Sequence, residues 1–166
     1  DLVGTYYWLS VMYDSLNMVT EKLAALDNCA DVALKLKLID KASLSAIYQR
    51  VEYFFDIGDY HRCISYATQC ETLGREYAKS GASFAYSDGN HYALSSLLWN
   101  VNALLQLKNY EAAEKLLINK VEEFTKVHFN DNLGVIYDQL AKVQLHKGNH
   151  KQALSYFKQS LSNEQR

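Results

Sequence analysis

Two histidines, His146 and His150, stand four positions apart, the spacing at which imidazoles on one helix face can share a metal ion. Gly148 and Asn149 fall between them and interrupt any such helix, and no HExxH run occurs, so surface or packing roles are expected for both. Cys63 and Cys70 are seven apart and could share a helix face; buried, inert thiols are the expectation rather than redox chemistry. Glu52 with Asp56, and Glu122 with Glu123, are paired carboxylates of the kind that move protons, but on helices such pairs more often keep a face in water. No GxxxxGK or GxGxxG run is present to cradle a phosphate. The sequence thus offers no catalytic residue, no metal ligand and no cofactor site, and the chain is expected not to be an enzyme. Residues suited to recognition are easier to find. Asn102 offers both a donor and an acceptor to an extended peptide, Lys142 can meet a carboxylate, and Tyr48 and Leu98 can floor side-chain pockets.

The elements that must hold these residues are helical. The 166 residues contain no proline and seven glycines, while Leu, Ala, Lys, Glu and Gln are plentiful. At 49% hydrophobic the chain can bury one sizeable core, and a single domain over 1–166 is expected. Seventeen basic against nineteen acidic residues leave a net charge of -2, which argues against binding nucleic acid or anionic membrane through phosphates. Thirteen tyrosines could stack on bases, but most are needed for packing. Three cysteines are too few for a disulfide framework and suit a reducing, cytoplasmic setting. No apolar run reaches the roughly 20 residues of a membrane span, and DLVGTYYWLS lacks the form of a signal peptide. The chain opens on Asp1 without Met and is expected to be a piece of a longer protein.

One outline recurs three times, in FFDIGDYHRCISYA (54–67), LLQLKNYEAAEKLL (104–117) and QLHKGNHKQALSYF (144–157). An apolar helix ends at IGD, LKN or KGN, a tight turn follows, and a second helix carries Tyr60, Tyr110 or His150 and then Cys63, Ala113 or Ala153. A small residue at that site lets the second helix approach the first, and the ring fills the space beside the turn. The outline encodes a helical hairpin. One hairpin cannot bury its own apolar face, whereas stacked hairpins cover one another, which is the physical reason for repetition.

These residues resemble the tetratricopeptide repeat. Tyr137, Leu140, Ala141, Gly148, Ala153 and Phe157 fall in its register, with Gln144 where an aromatic is usual. Leu97, Val101, Leu104, Ala113 and Leu117 follow it, departing at Asn100 and Lys108; Ile47, Val51, Phe54, Gly58, Tyr60, Cys63 and Ala67 follow it, departing at Arg50. A further copy starts with Tyr6, Leu9, Ser10 and Tyr13, but its second helix, from about Thr20 through Ala33, lacks the Gly turn and is expected to slip by one residue. Repeats are expected at about 3–40, 44–80, 91–128 and 133–164, with GASFAYSDGN (81–90) as the long loop. The pattern's first-helix starting residues, Tyr6, Ile47, Leu97 and Tyr137, are 41, 50 and 40 positions apart against about 34 in the standard repeat. Such spacing is similar to variant repeats of bacterial regulatory and sensor proteins attached to transcription regulators, kinases or cyclases.

The resemblance implies an all-α, right-handed solenoid of about four hairpins whose first helices line a concave groove. Helical phase puts Tyr7, Val11 and Asp14, then Tyr48, Glu52 and Phe55, then Leu98, Asn102 and Leu105, then Asp138, Lys142 and Leu145 toward that groove. A protein or peptide segment is the expected occupant, although the same residues equally fit an ordinary solvated face. The apolar edge after SYFKQSLSNEQR has no cap, so either the polypeptide continues or two copies pair there as a homodimer. The expected function is a non-catalytic peptide-binding module in a bacterial regulator; the alternatives are a scaffold without a groove ligand and an enzyme whose site is unrecognised.

Overall fold

The first helix of each hairpin in this chain stops where a left-handed residue lets the backbone reverse. In the computed structural model, which describes residues 2–36, 39–126 and 132–164, positive φ falls at Asn17 (56°), Gly58 (77°), Lys108 (56°) and Gly148 (77°). At each, two backbone bonds close the preceding helix in the same way. Met18 N–H donates to Tyr13 O and Asn17 N–H to Asp14 O; the same pair joins Asp59 to Phe54 and Gly58 to Phe55, Asn109 to Leu104 and Lys108 to Leu105, and Asn149 to Gln144 and Gly148 to Leu145, all at 2.8–3.0 Å. These bonds satisfy carbonyls that the helix end would otherwise leave open. The next helix always begins two residues after the left-handed one.

Among the described residues there are eight α-helices and no strand: α1 (Leu2–Ser15), α2 (Val19–Leu36), α3 (Lys41–Asp56), α4 (Tyr60–Ala78), α5 (Ala85–Gln106), α6 (Tyr110–Lys126), α7 (Leu133–His146) and α8 (His150–Glu164). The expected all-α architecture of helical hairpins is what the chain adopts. The expected slip in the first hairpin does not occur, because Asn17 takes the left-handed conformation that glycine takes elsewhere; asparagine tolerates it better than most side chains. The expected limit of the third repeat, at residue 128, lies outside the described residues.

Two compact units divide the chain at residues 100 and 101, inside α5. In the first, Val3, Leu26, Cys29, Ala33 and Ala46 form one buried cluster, and Ala30, Leu44, Ile47, Cys70, Tyr77 and Ala85 form another. Burying a leucine- or isoleucine-sized side chain contributes about 1.5–3 kcal/mol, so these rows outweigh any single polar contact. Asp40 opens α3 with a reciprocal cap: its carboxylate accepts from Ser43 N–H at 2.8 Å, and its own N–H donates to Ser43 Oγ at 3.0 Å. In the second unit Ala113, Leu117, Leu133, Ile136, Leu140, Ala141, Val143 and Ala153 are buried on the facing sides of α6, α7 and α8.

The stretch Gly81–Asn90 is not a loop throughout. Helix α5 begins at Ala85, and Gly89 lies within it because α4 crosses there at backbone contact. A Cβ on Gly89 would collide with the Gly74 carbonyl and approach Ala78 N to 2.6 Å; one on Gly74 would come within 2.7 Å of Gly89 O. The extra length between the second and third repeats therefore goes largely into helix, and the glycine that suggests a turn is there for close helix packing.

Candidate functional site

Helical spacing brings a row of rings onto adjacent first helices of the first unit. On α3, Ser45, Tyr48, Glu52 and Phe55 recur at steps of three and four, and on α5 Tyr92, Ser95 and Trp99 do the same. Ser45 Oγ donates to the Tyr7 phenol of α1 at 3.4 Å. Tyr48 meets Tyr92 edge-on with ring centres 5.6 Å apart, and the Trp99 indole N–H donates to Tyr48 Oη at 3.0 Å. Phe55 lies 4.7 Å from Trp99 and 5.4 Å from Tyr60. The rings are half-buried, so they share edges with one another and keep part of their surface exposed.

Charge on this wall is sparse. Partial burial pushes the Glu52 carboxyl above its ordinary pKa; the hydrogen bond from Tyr48 pulls it back, and the Asp56 carboxylate adds to the rise. Burial also raises the Tyr48 and Tyr92 phenols, with the Trp99 hydrogen bond opposing the shift at Tyr48. Tyr48 stays neutral and, with Trp99 donating to its oxygen, can donate its own proton to Glu52. The result is a relay from indole to phenol to carboxylate on an aromatic surface.

Residues 92–165 match the family model of the tetratricopeptide repeat. That stretch is a tetratricopeptide repeat segment. The repeat generally mediates protein–protein interaction and is typically non-catalytic. Crystal structures similar to this chain include nearly identical TPR-like repeats from Podosopora anserina, at 12% identity over 98% of this chain and 94% of that one with a TM-score of 0.45. Another is MamA protein, at 14% identity over 99% and 92% with a TM-score of 0.35. No curated protein matches the chain.

Of the expected groove residues, Tyr7, Tyr48, Glu52 and Phe55 join the wall of the first unit. Asp14 instead pairs with Lys22 of α2 at 2.7 Å, and Val11 is exposed. Leu98 and Asn102 are half-buried one turn apart on α5, but the side chains of that helix that meet α3 are Tyr92 and Trp99. In the second unit Asp138 and Lys142 bind each other at 2.6 Å, and Leu145 is exposed. Ser45, Tyr92 and Trp99 are thus wall residues that sequence reasoning missed. Their signal was the spacing of Tyr92 and Trp99, two turns apart on one face.

Three of the polar residues that depart from the tetratricopeptide pattern, Arg50, Asn100 and Gln144, are buried with partners. Arg50 forms an ion pair with Asp27 of α2 and lies 4.5 Å over the Tyr66 ring. Asn100 Nδ2 donates to Thr68 Oγ1 of α4 at 3.2 Å. In the second unit Gln144 is fully buried, donates to Glu114 at 2.7 Å and accepts from Asn149 at 2.9 Å. Each hydrogen bond offsets a desolvation cost that an unpartnered group would leave unmet.

The cysteines are part of the repeat as well. The Cys29 thiol donates to Val3 O at 3.4 Å and the Cys70 thiol to Leu44 O at 3.8 Å, and both partners lie 26 residues earlier at equivalent sites. Burial pushes Cys29, Cys63 and Cys70 up to about 11, which leaves almost no thiolate near neutrality. His146 stacks on Tyr110 with ring centres 5.7 Å apart, and His150 begins α8 beyond the turn. Among the described residues no three His, Cys, Asp or Glu side chains gather as metal ligands, and no helix is long and apolar enough to cross a membrane.

Proposed function

We propose that this chain is a non-catalytic binding module in which a protein or peptide segment lies against the aromatic wall of α1, α3 and α5. The carrying observation is the continuous set of half-buried rings, Tyr7, Tyr92, Tyr48, Trp99 and Phe55, edged by one carboxylate with a raised pKa. Rings of this kind present large contact area at low conformational cost, and Glu52 supplies a single oriented acceptor. The segment that fits has apolar side chains to rest on the rings and a basic or amide side chain to meet Glu52.

The setting we favour is the sensor or interaction region of a bacterial regulatory protein, supported by the long repeat intervals of 41, 50 and 40 residues. A cytoplasmic location is supported by three buried, unpaired cysteines. Panning a random peptide library on the purified chain tests the binding reading. Selected peptides are expected to carry an apolar residue beside a basic or amide one and to lose at least about tenfold in affinity against a folded Tyr48→Ser, Glu52→Ala double variant. Peptides that bind the double variant equally well overturn the wall as the site.

A further inference from the structure

Two junctions between hairpins in the first unit superpose in register when residues are counted from the left-handed turns. Where α4 meets α5, Gly74 and Gly89 come to backbone contact. Counted the same way, Gly74 corresponds to Ala33 of α2, and Gly89 to Ile39 just ahead of α3. Side chains at both positions keep the α2–α3 junction from closing as the later one does. Helix α3 also starts late, seventeen residues before Gly58, whereas α5 starts twenty-three before Lys108. At this shorter, looser junction a cavity of about 270 Å³ opens. Buried Ile47 and Ser43 of α3 lie at its base, half-buried Ile39 and Leu73 along its sides, and Leu34, 43% exposed, with exposed Glu76 at its mouth.

This lining restricts what can enter. The Ser43 hydroxyl is already committed, donating to Asp40 O at 2.8 Å and accepting from Asp40 N–H at 3.0 Å. Arg75, next to Glu76 in sequence, turns instead to Glu71 at 3.1 Å. No side chain among the described residues pairs with Glu76. An occupant therefore meets aliphatic surface and one unpaired carboxylate, which asks for an apolar body with a positive end. Size narrows the choice: an apolar cavity of about 150 Å³ holds benzene, and pockets for drug-sized ligands begin near about 300 Å³. A single ring or short chain with a small tail fits; a peptide segment does not. We propose that this cavity binds a small arylalkyl or alkyl amine, its body against Leu34, Ile39, Ile47 and Leu73 and its ammonium at Glu76. The site shares α3 with the aromatic wall but none of the wall's residues, so it stands or falls apart from the peptide reading.

Methyl NMR of the full chain, titrated in turn with phenethylamine, phenethyl alcohol and hydrocinnamate, tests this. Ring currents should shift the methyl signals of Leu34, Ile39, Ile47 and Leu73 as the amine binds. The amine should bind at least about threefold tighter than the alcohol, with the carboxylate weakest, as an ion pair at a solvent-exposed mouth allows. Glu76→Gln should bring amine and alcohol to equal affinity and leave the alcohol unchanged. Leu73→Phe, checked by its unfolding midpoint, should weaken both about tenfold by filling the cavity. Glu76→Gln lies at an exposed site and decides the matter even if Leu73→Phe fails to fold. No methyl shift with the amine overturns the proposal, as do shifts confined to the Tyr48 and Trp99 wall. Equal affinity for amine and alcohol in the wild type, or an amine preference that survives Glu76→Gln, overturns it as well.

Discussion

Helices α3 and α7 are the first helices of their hairpins, yet their equivalent positions do different things. Tyr48, Glu52 and Phe55 of α3 correspond in register to Asp138, Lys142 and Leu145 of α7. On α3 they join an aromatic wall held by the Trp99 hydrogen bond; on α7 two of them close a 2.6 Å ion pair on the same helix and the third is exposed to water. The lesson is that the repeat fixes where these side chains point, while their types decide whether the face becomes a packed aromatic wall or an ion-paired surface in water. The better match to the family pattern, in the last hairpin, carries the plainer surface.

The sharpest way to break that comparison is to spoil the crossing that delivers Tyr92 and Trp99 to α3. Gly89→Ala forces a Cβ into the backbone of α4 and is expected to cost about 3 kcal/mol, read as a lower urea midpoint and a shift of Trp99 fluorescence toward that of exposed indole. Full stability in this variant would show that the crossing tolerates the methyl group and that α5 is placed by something else. Trp99→Phe keeps an aromatic ring but removes the indole N–H and part of the ring surface packed on Phe55, so a loss of at least about 1 kcal/mol is expected, together with weaker binding of any selected peptide.

Glu52 gives the comparison a pH signature. Its folded pKa is raised by burial, so its contribution to stability is fully present below the ordinary carboxyl value of 4.5 and is lost as pH rises through the folded value. Glu52→Gln should remove that loss: the variant should gain on wild type between pH 4.5 and 7 in paired denaturant titrations, by less than the Trp99 effect because the carboxyl is largely solvated. A variant that instead loses stability over that range would mean the Tyr48 hydrogen bond outweighs burial. Smallest of all is the α7 side. Lys142→Ala should change the unfolding free energy by no more than about 0.5 kcal/mol, since the pair it breaks is exposed and lies one helical turn apart.

Much of this arrangement was legible in the chain. Gly58 and Gly148 announced their turns, and Cys63, Ala113 and Ala153 announced the close approach of paired helices. The repeated outline placed the turn at Lys108 without a glycine, whereas Asn17 hid a turn of the same kind, because a left-handed backbone is a matter of tertiary and capping contacts as well as residue type. Gly89 misled in the other direction: in the run SDGN it looks like a turn, and only the backbone of α4 explains it. The wall was half visible. Tyr48 and Glu52 followed from helical phase, whereas Trp99 was displaced by its neighbour Leu98, since an error of one residue turns a helix by about 100°.

What the sequence determined alone was the local and periodic part: helices without proline, turns at repeated intervals, and apolar stripes that no single hairpin can bury. Those depend on neighbours a few residues away. The tertiary structure decided which polar departures from the pattern would find partners and which rings would meet. Arg50 has to find Asp27, Asn100 has to find Thr68 and Tyr48 has to find Trp99 across different helices, and such distances are set by how the helices pack rather than by the order of residues along one of them.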